Sequence, residues 1–269
     1  MKKNHSSVFI SLIILFIALC AKTVSSQPKD YYMLKALPIP VHTQAKQMFT
    51  SIGYDGGIDI NLSYSLPRDI FIFATGNINP FSSSRKEDVG ARYKIFKNDY
   101  AATIGLGGFK YSKYNFFNAF EYSGGIGLSK IDSYWRYVPD ALEVADMFTD
   151  ALYQTAFVQV NGTKVFSKIH LGAATRIAVN RYGTLKYFTR SQANITSNSN
   201  SFATIVLEPA LSFSYLISTF RGNFQLGVSV PVYTQGATMV STSFPSEVES
   251  YGEFYFFWRI AIQRLKNKN

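Results

Sequence analysis

Glu121, Glu208, Glu253, Arg176 and Arg259 are the residues of this chain with the clearest chemistry. Each sits at the polar phase of an alternating segment, so each shares a face with glycine, serine and glutamine rather than with bulky neighbours. Three carboxylates and two guanidiniums on one inner face could line a polar path or a ligand site. They could equally close it, because a buried charge needs a partner and a guanidinium grips a carboxylate through two parallel hydrogen bonds. Closure is the favoured reading. His170 shares that face. Beside a carboxylate it would be a general base, but a histidine satisfied by its neighbours inside the wall is the simpler expectation. His42, after Pro38-Ile39-Pro40, is expected to have no special role. Cys20 is the single cysteine and His5 lies in a segment expected to be removed, which leaves too few soft ligands for a zinc site. The glycine clusters at Gly105–Gly108 and Gly124–Gly127 fall inside strands, not between a strand and a helix, so they are not phosphate loops. No catalytic residue, metal or cofactor is expected.

The elements that carry these charges are strands. Ile58, Ile60, Leu62, Tyr64 and Leu66 alternate with Asp59, Asn61, Ser63 and Ser65, which is the period-two signature. Phe120–Ser129, Ile169–Asn180, Ile205–Ile217, Phe224–Val232 and Glu253–Gln263 repeat it. Gln47–Gly53, Ile70–Asn79, Tyr100–Tyr111 and Leu152–Asn161 are weaker candidates. The total is about ten strands, near the length a tilted strand needs to cross a bilayer. Pro209 and Pro231 cannot donate to a ladder and predict bulges or rim positions. Pro139–Phe148, with Leu142, Ala145 and Phe148 at helical spacing, predicts a short surface helix.

Alternation leaves open which face is buried, and size decides. The polar face is small and charged, whereas the other carries Phe, Ile, Leu and Trp. A narrow interior holds glycine, serine and Glu–Arg pairs but not six strands of large apolar side chains, so the large residues are expected to face lipid. Connections alternate in length. Pro67-Arg68, Ser112–Asn118, the hairpin-like Asn161-Gly162-Thr163-Lys164 and Ser218–Gly222 are short. Pro80–Asp99, Asp132–Ala151, Arg181–Ser201 and Thr234–Ser250 are long. Short turns on one side and long loops on the other are the outer-membrane pattern. Tyr54-Asp55-Gly56 departs from it.

The N-terminus explains how such a chain would reach a membrane. Lys2 and Lys3 precede an apolar run from Val8 to Leu19, broken only by Ser11, which is too short to span a bilayer and fits a signal peptide. Cleavage after Ser26 is favoured. The alternative is Ile17-Ala18-Leu19-Cys20 read as a lipoprotein box, with Cys20 a candidate for lipidation although Leu19 departs from the small residue preferred there. The expected division is a signal peptide over 1–26, an extended lead-in over 27–45, a barrel over 46–264 and a basic tail over 265–269. Beyond residue 27 no apolar run approaches the roughly twenty residues of a spanning helix, so a membrane-embedded form would be a closed barrel. The formal net charge of +10 includes Lys2, Lys3 and Lys22 in the removed segment. The remaining basic residues are scattered, which argues against nucleic acid as a partner. The charged share of 16% is low and the aromatic share of 16% high, as strands that bury rings against lipid require.

With strands and turns placed, the chain resembles a family of small predicted outer-membrane β-barrel proteins of Gram-negative bacteria, many of them lipoproteins, with no assigned activity. The resemblance rests on Tyr31-Tyr32, on Tyr54-Asp55-Gly56-Gly57 leading into Ile58–Leu66, on Phe120–Leu128, on Ala156-Phe157-Val158-Gln159 and on Leu207-Glu208-Pro209. It implies a barrel anchored near the cell surface and no catalytic residues. Omptins, ten-stranded outer-membrane proteases, use Asp and His at the outer rim, where no histidine is expected here. The expectation is therefore an all-β, closed, antiparallel up-and-down transmembrane barrel in the outer membrane. Its role would be structural or surface-binding through its long loops, with the lumen plugged by charged side chains. Outer-membrane lipid, lipopolysaccharide and the barrel-assembly machinery are the expected partners, with the ligand unknown. The alternatives are a soluble periplasmic lipocalin-like binder of an apolar ligand and a narrow outer-membrane channel.

Overall fold

The computed structural model describes residues 37–267 apart from 55–56, 81, 87–91, 114, 139–145, 191–194, 200–202, 218–219 and 236–254. Ten strands close a barrel: β1 (Gln47–Tyr54), β2 (Ile58–Leu66), β3 (Ile70–Asn79), β6 (Asp99–Tyr111), β7 (Ala119–Val138), β8 (Asp146–Val165), β9 (Ile169–Arg190), β11 (Ala203–Ile217), β12 (Phe220–Gln235) and β13 (Tyr255–Asn267). Each pairs antiparallel with the next, and β13 returns to β1, so the barrel has no free edge. The short strands β4 (Ser82–Lys86), β5 (Arg92–Lys97) and β10 (Ile195–Ser199) lie in the long connections and extend the ladder beyond the wall on β7 and β9. Part of what reads as long loop is therefore strand. The last strand runs to Asn267, past the expected barrel edge at 264. Asp146–Phe148, expected in a helix, begin β8, and residues 139–145 lie outside the described residues.

Exposure follows the alternation. On β2, Ile58, Ile60 and Leu62 are exposed while Asp59, Asn61, Ser63 and Ser65 are buried. Ile104 and Ile126 face each other across β6 and β7 with 61% and 63% of their surface outside. The apolar band of Ile, Leu and Val is thus on the outer wall, where water would penalise it and lipid would not. Rings flank it. Tyr111, Phe120, Phe213, Tyr215 and Phe220 ring the turn end, where the short connections lie, and Tyr54, Tyr100, Tyr233 and Trp258 ring the loop end. That is the girdle arrangement of a barrel whose rims meet lipid headgroups. A soluble lipocalin-like barrel needs the opposite polarity.

Two local expectations change and one holds. Asn161-Gly162-Thr163 is not a turn but the interior of β8, and the connection to β9 falls at Phe166–Lys168. The reason is that Asn161 is buried with its amide aimed into the lumen, where it has partners. The interior is also not confined to small and charged groups: Phe71, Phe73, Phe109, Phe157 and Phe257 all point inward. Four of them have room because their register partners on the adjacent strand are glycines: Gly107 for Phe71, Gly105 for Phe73, Gly125 for Phe157 and Gly227 for Phe257. Phe257 is paired with Gly227, and a Cβ on that glycine would overlap the ring. Pro231 sits beside a register shift between β11 and β12, a bulge of the kind a strand proline demands.

Candidate functional site

The lumen is the place where chemistry gathers, and it is occupied by the chain's own lead-in. Leu37, Ile39 and Val41 are buried against Ala119, Ala174, Ala210 and Phe257. The small alanines on three strands leave the room that the segment fills. A non-regular backbone in a dry interior must have its polar groups satisfied by side chains, and the wall supplies them. Gln225 pairs with Leu37 in both directions, accepting its N–H at 3.0 Å and donating to its carbonyl at 3.2 Å. Gln159 and Asn161 donate to the Pro38 carbonyl at 2.7 and 3.3 Å. Pro38 and Pro40 bring no N–H, which lowers the demand on the wall. Ser65 ties the exit of the segment to β2, taking the Gln47 N–H at 2.8 Å and donating to the Gln44 carbonyl at 2.8 Å.

Glu121 anchors the middle of the lead-in. Its carboxylate accepts the His42 N–H at 2.9 Å, a further bond from the Val41 backbone, and the Asn161 amide at 3.3 Å. Val41 has φ 59°, a left-handed conformation that a β-branched residue avoids. That strain turns two successive N–H groups toward one anion, a small backbone nest. Glu121 was expected to pair with an arginine; it is held by backbone instead. His42, expected to have no role, has no exposed surface. Its Nε2 lies 2.7 Å from Ser63 Oγ, and its ring stands 5.2 and 5.7 Å from those of Phe71 and Phe109. Burial lowers its pKa to about 4, so the ring is neutral.

The remaining inner charges form two separate pairs. Arg176 and Glu208 face each other across β9 and β11 and meet at 2.5 Å, with the guanidinium 5.4 Å from the centre of the Phe157 ring. Arg259 meets Asp59 and also donates to Ser51. Glu253 lies outside the described residues, as does Cys20. Asp59 was missed although it shares the polar phase of β2 with Asn61 and Ser63. Its parity was the available signal. His170 is buried near the turn end, as its phase requires, but its neighbour is Arg221, whose Nη1 lies 2.8 Å from Nδ1. Because a guanidinium only donates, Nδ1 accepts and Nε2 carries the proton. No carboxylate is placed against His170 among the described residues. Between the lead-in and the loop end, Phe71, Phe73 and Phe157 form a chain with centroids 6.1 Å apart at each step. Tyr153 and Tyr182 stack at 4.7 Å.

This ladder and its outward apolar band define the class: a closed ten-strand antiparallel barrel of the outer-membrane kind. No family model and no curated protein matches the chain. Among solved structures it overlaps loosely with the KdgM porin, at a TM-score of 0.30 and 8% identity over 81% of this chain and 98% of that one. The same porin in complex with disordered oligogalacturonate gives 0.26 and 7% over 81% and 98%. OmpT of Vibrio cholerae, in its trimer form, gives 0.15 and 7% over 82% and 97%. The chain's own strand pairing carries the architecture.

Proposed function

We propose that this chain is a non-enzymatic outer-membrane barrel, closed at rest by its own lead-in, with the loop end presented outside the cell as its working surface. The carrying observation is the seat of residues 37–43, whose backbone is bound by Gln225, Gln159, Asn161 and Glu121. In this reading the turn end faces the periplasm, lipid and lipopolysaccharide cover the apolar band, and the barrel-assembly machinery inserts the chain after export. Aromatic and ion-paired layers above the seat reinforce the closure. In planar bilayers the full chain is expected to show no steady conductance. A stable, ion-selective current from the unaltered protein would overturn the closed reading.

A second reading, a gated channel, is favoured by one observation: the seat is made of hydrogen bonds and apolar contacts around a strained Val41. If the lead-in is the gate, Gln159→Ala with Gln225→Ala produces conductance that the full chain lacks. If both stay silent, the barrel is a structural or surface-binding protein.

A further inference from the structure

On the turn-end side of the lead-in a cavity of about 220 Å³ remains between the segment and the wall. Its polar lining is unusual for a lumen in which charges are paired off. Arg221 and Gln263 are directly opposite each other across β12 and β13, and both line it. Gln263 is 7% exposed and lies on the cavity wall. Arg221 is half-buried and contacts His170 through Nη1. Its other donors have no protein acceptor, and no carboxylate is paired with it, among the described residues. Arg176 and Arg259, by contrast, each have a carboxylate. Leaving a guanidinium partly desolvated without a counter-charge is costly, and the cost is offset when an anion occupies the space beside it. The rest of the lining is Pro40, Val41, Phe49, Leu216 and Leu265, together with Gln47, whose amide is engaged by Thr43 and Gln44.

We propose that this cavity binds a small organic carboxylate, its head held by Arg221 and Gln263 and its short apolar body against Phe49, Leu216 and Leu265. A guanidinium beside a carboxamide presents the planar row of N–H groups that a carboxylate matches. The apolar remainder disfavours a strongly hydrated dianion such as inorganic phosphate. His170 is a positioning residue. By accepting from Nη1 it fixes the fork and remains neutral, so it adds no competing charge. The site goes beyond the closed-barrel reading, and it requires the lead-in to be seated, since Pro40 and Val41 form part of its lining.

The test is calorimetric titration of the detergent-solubilised full chain with hexanoate, hexan-1-ol and inorganic phosphate. Saturable binding of hexanoate is expected, at least tenfold tighter than either of the others. Arg221→Gln should weaken it by tenfold or more, while Arg221→Lys retains part of it. Leu216→Trp, which fills the cavity from the wall and leaves the guanidinium in place, should abolish binding with heat-modifiable gel mobility unchanged. That variant keeps the test valid if Arg221→Gln fails to fold. No saturable hexanoate binding, equal binding of hexan-1-ol, tighter binding of phosphate, or full binding by a folded Arg221→Gln or Leu216→Trp protein would each overturn the proposal.

Discussion

Arg259 and Asp59 form an ion pair across an intervening strand, passing over Gly53. Gly53 is the register partner of Asp59 on one side and of Ala261 on the other. A Cβ at that glycine would stand 2.5 Å from the Asp59 carboxylate and 2.8 Å from Arg259 Nε. The missing side chain is what lets two charges on β2 and β13 reach each other. Gly53→Ala is therefore expected to destabilise the barrel by about 1–3 kcal/mol through overpacking. Asp59→Ala, which leaves a buried guanidinium alone, should cost about 3–5 kcal/mol. Urea unfolding in detergent measures both. A neutral Gly53→Ala would show that the pair does not depend on the gap.

Arg176→Ala leaves Glu208, which has no exposed surface, without its cation. A loss of about 3–5 kcal/mol is expected. The double variant Arg176→Met with Glu208→Leu should recover most of it, since replacing both partners removes the unpaired charge. Thermal melts of the three variants decide it. A double variant no more stable than Arg176→Ala would mean that the pair contributes more than charge balance.

Ile126 faces outward near the middle of β7 with Ile104 opposite. Ile126→Arg puts a charge on the lipid face, at a cost of about 2–4 kcal/mol if the residue lies at mid-depth. Insertion into vesicles should fall sharply. Thr103→Ser, on the buried face of β6, should insert normally. Comparable insertion of both would place the lipid boundary elsewhere.

His42 makes the seat sensitive to acid. Its pKa is about 4 when seated and 6.5 when free. Above pH 6.5 the ring is neutral in both states, and this part of the stability is intact. As pH falls toward about 4, the free ring takes up a proton that the seated one refuses. Seating then loses about 1.4 kcal/mol per pH unit. Glu121, bound at the His42 N–H, is the ionisable group in contact with this residue, while Phe71, Phe109 and Ser63 surround the ring. Hydrogen exchange of residues 37–46 should quicken between pH 7 and 5 after correction for the intrinsic rate. His42→Gln should remove that extra dependence. An equal pH response in both proteins would exclude His42 as its source.

Much of the wall was legible because strand geometry is local. A side chain alternates sides at every residue, so the run from Ile58 to Leu66 declares two faces without reference to any other part of the chain. The size of those faces then says which one meets lipid. Closure into ten strands follows from the count and from the need to leave no edge. What fills the interior was not legible. Parity places Asp59 and Arg259 inside, but only the register, set by pairings between residues 200 positions apart, makes them partners. Phe71, Phe73 and Phe157 are tolerated inside because the small residues around them leave space, and that balance of volumes belongs to the assembled barrel. The lead-in alternates Leu37, Ile39 and Val41 with Pro38, Pro40 and His42, but nothing local says what that row packs against. Leu37 and residues 39–42 are buried because the closed wall leaves a gap of the right size, lined with amides and one carboxylate that the backbone needs. The sequence by itself determined the wall and its outward face, since both are read residue by residue. The tertiary structure decided what occupies the lumen, because filling a cavity depends on the shape that all the strands make together.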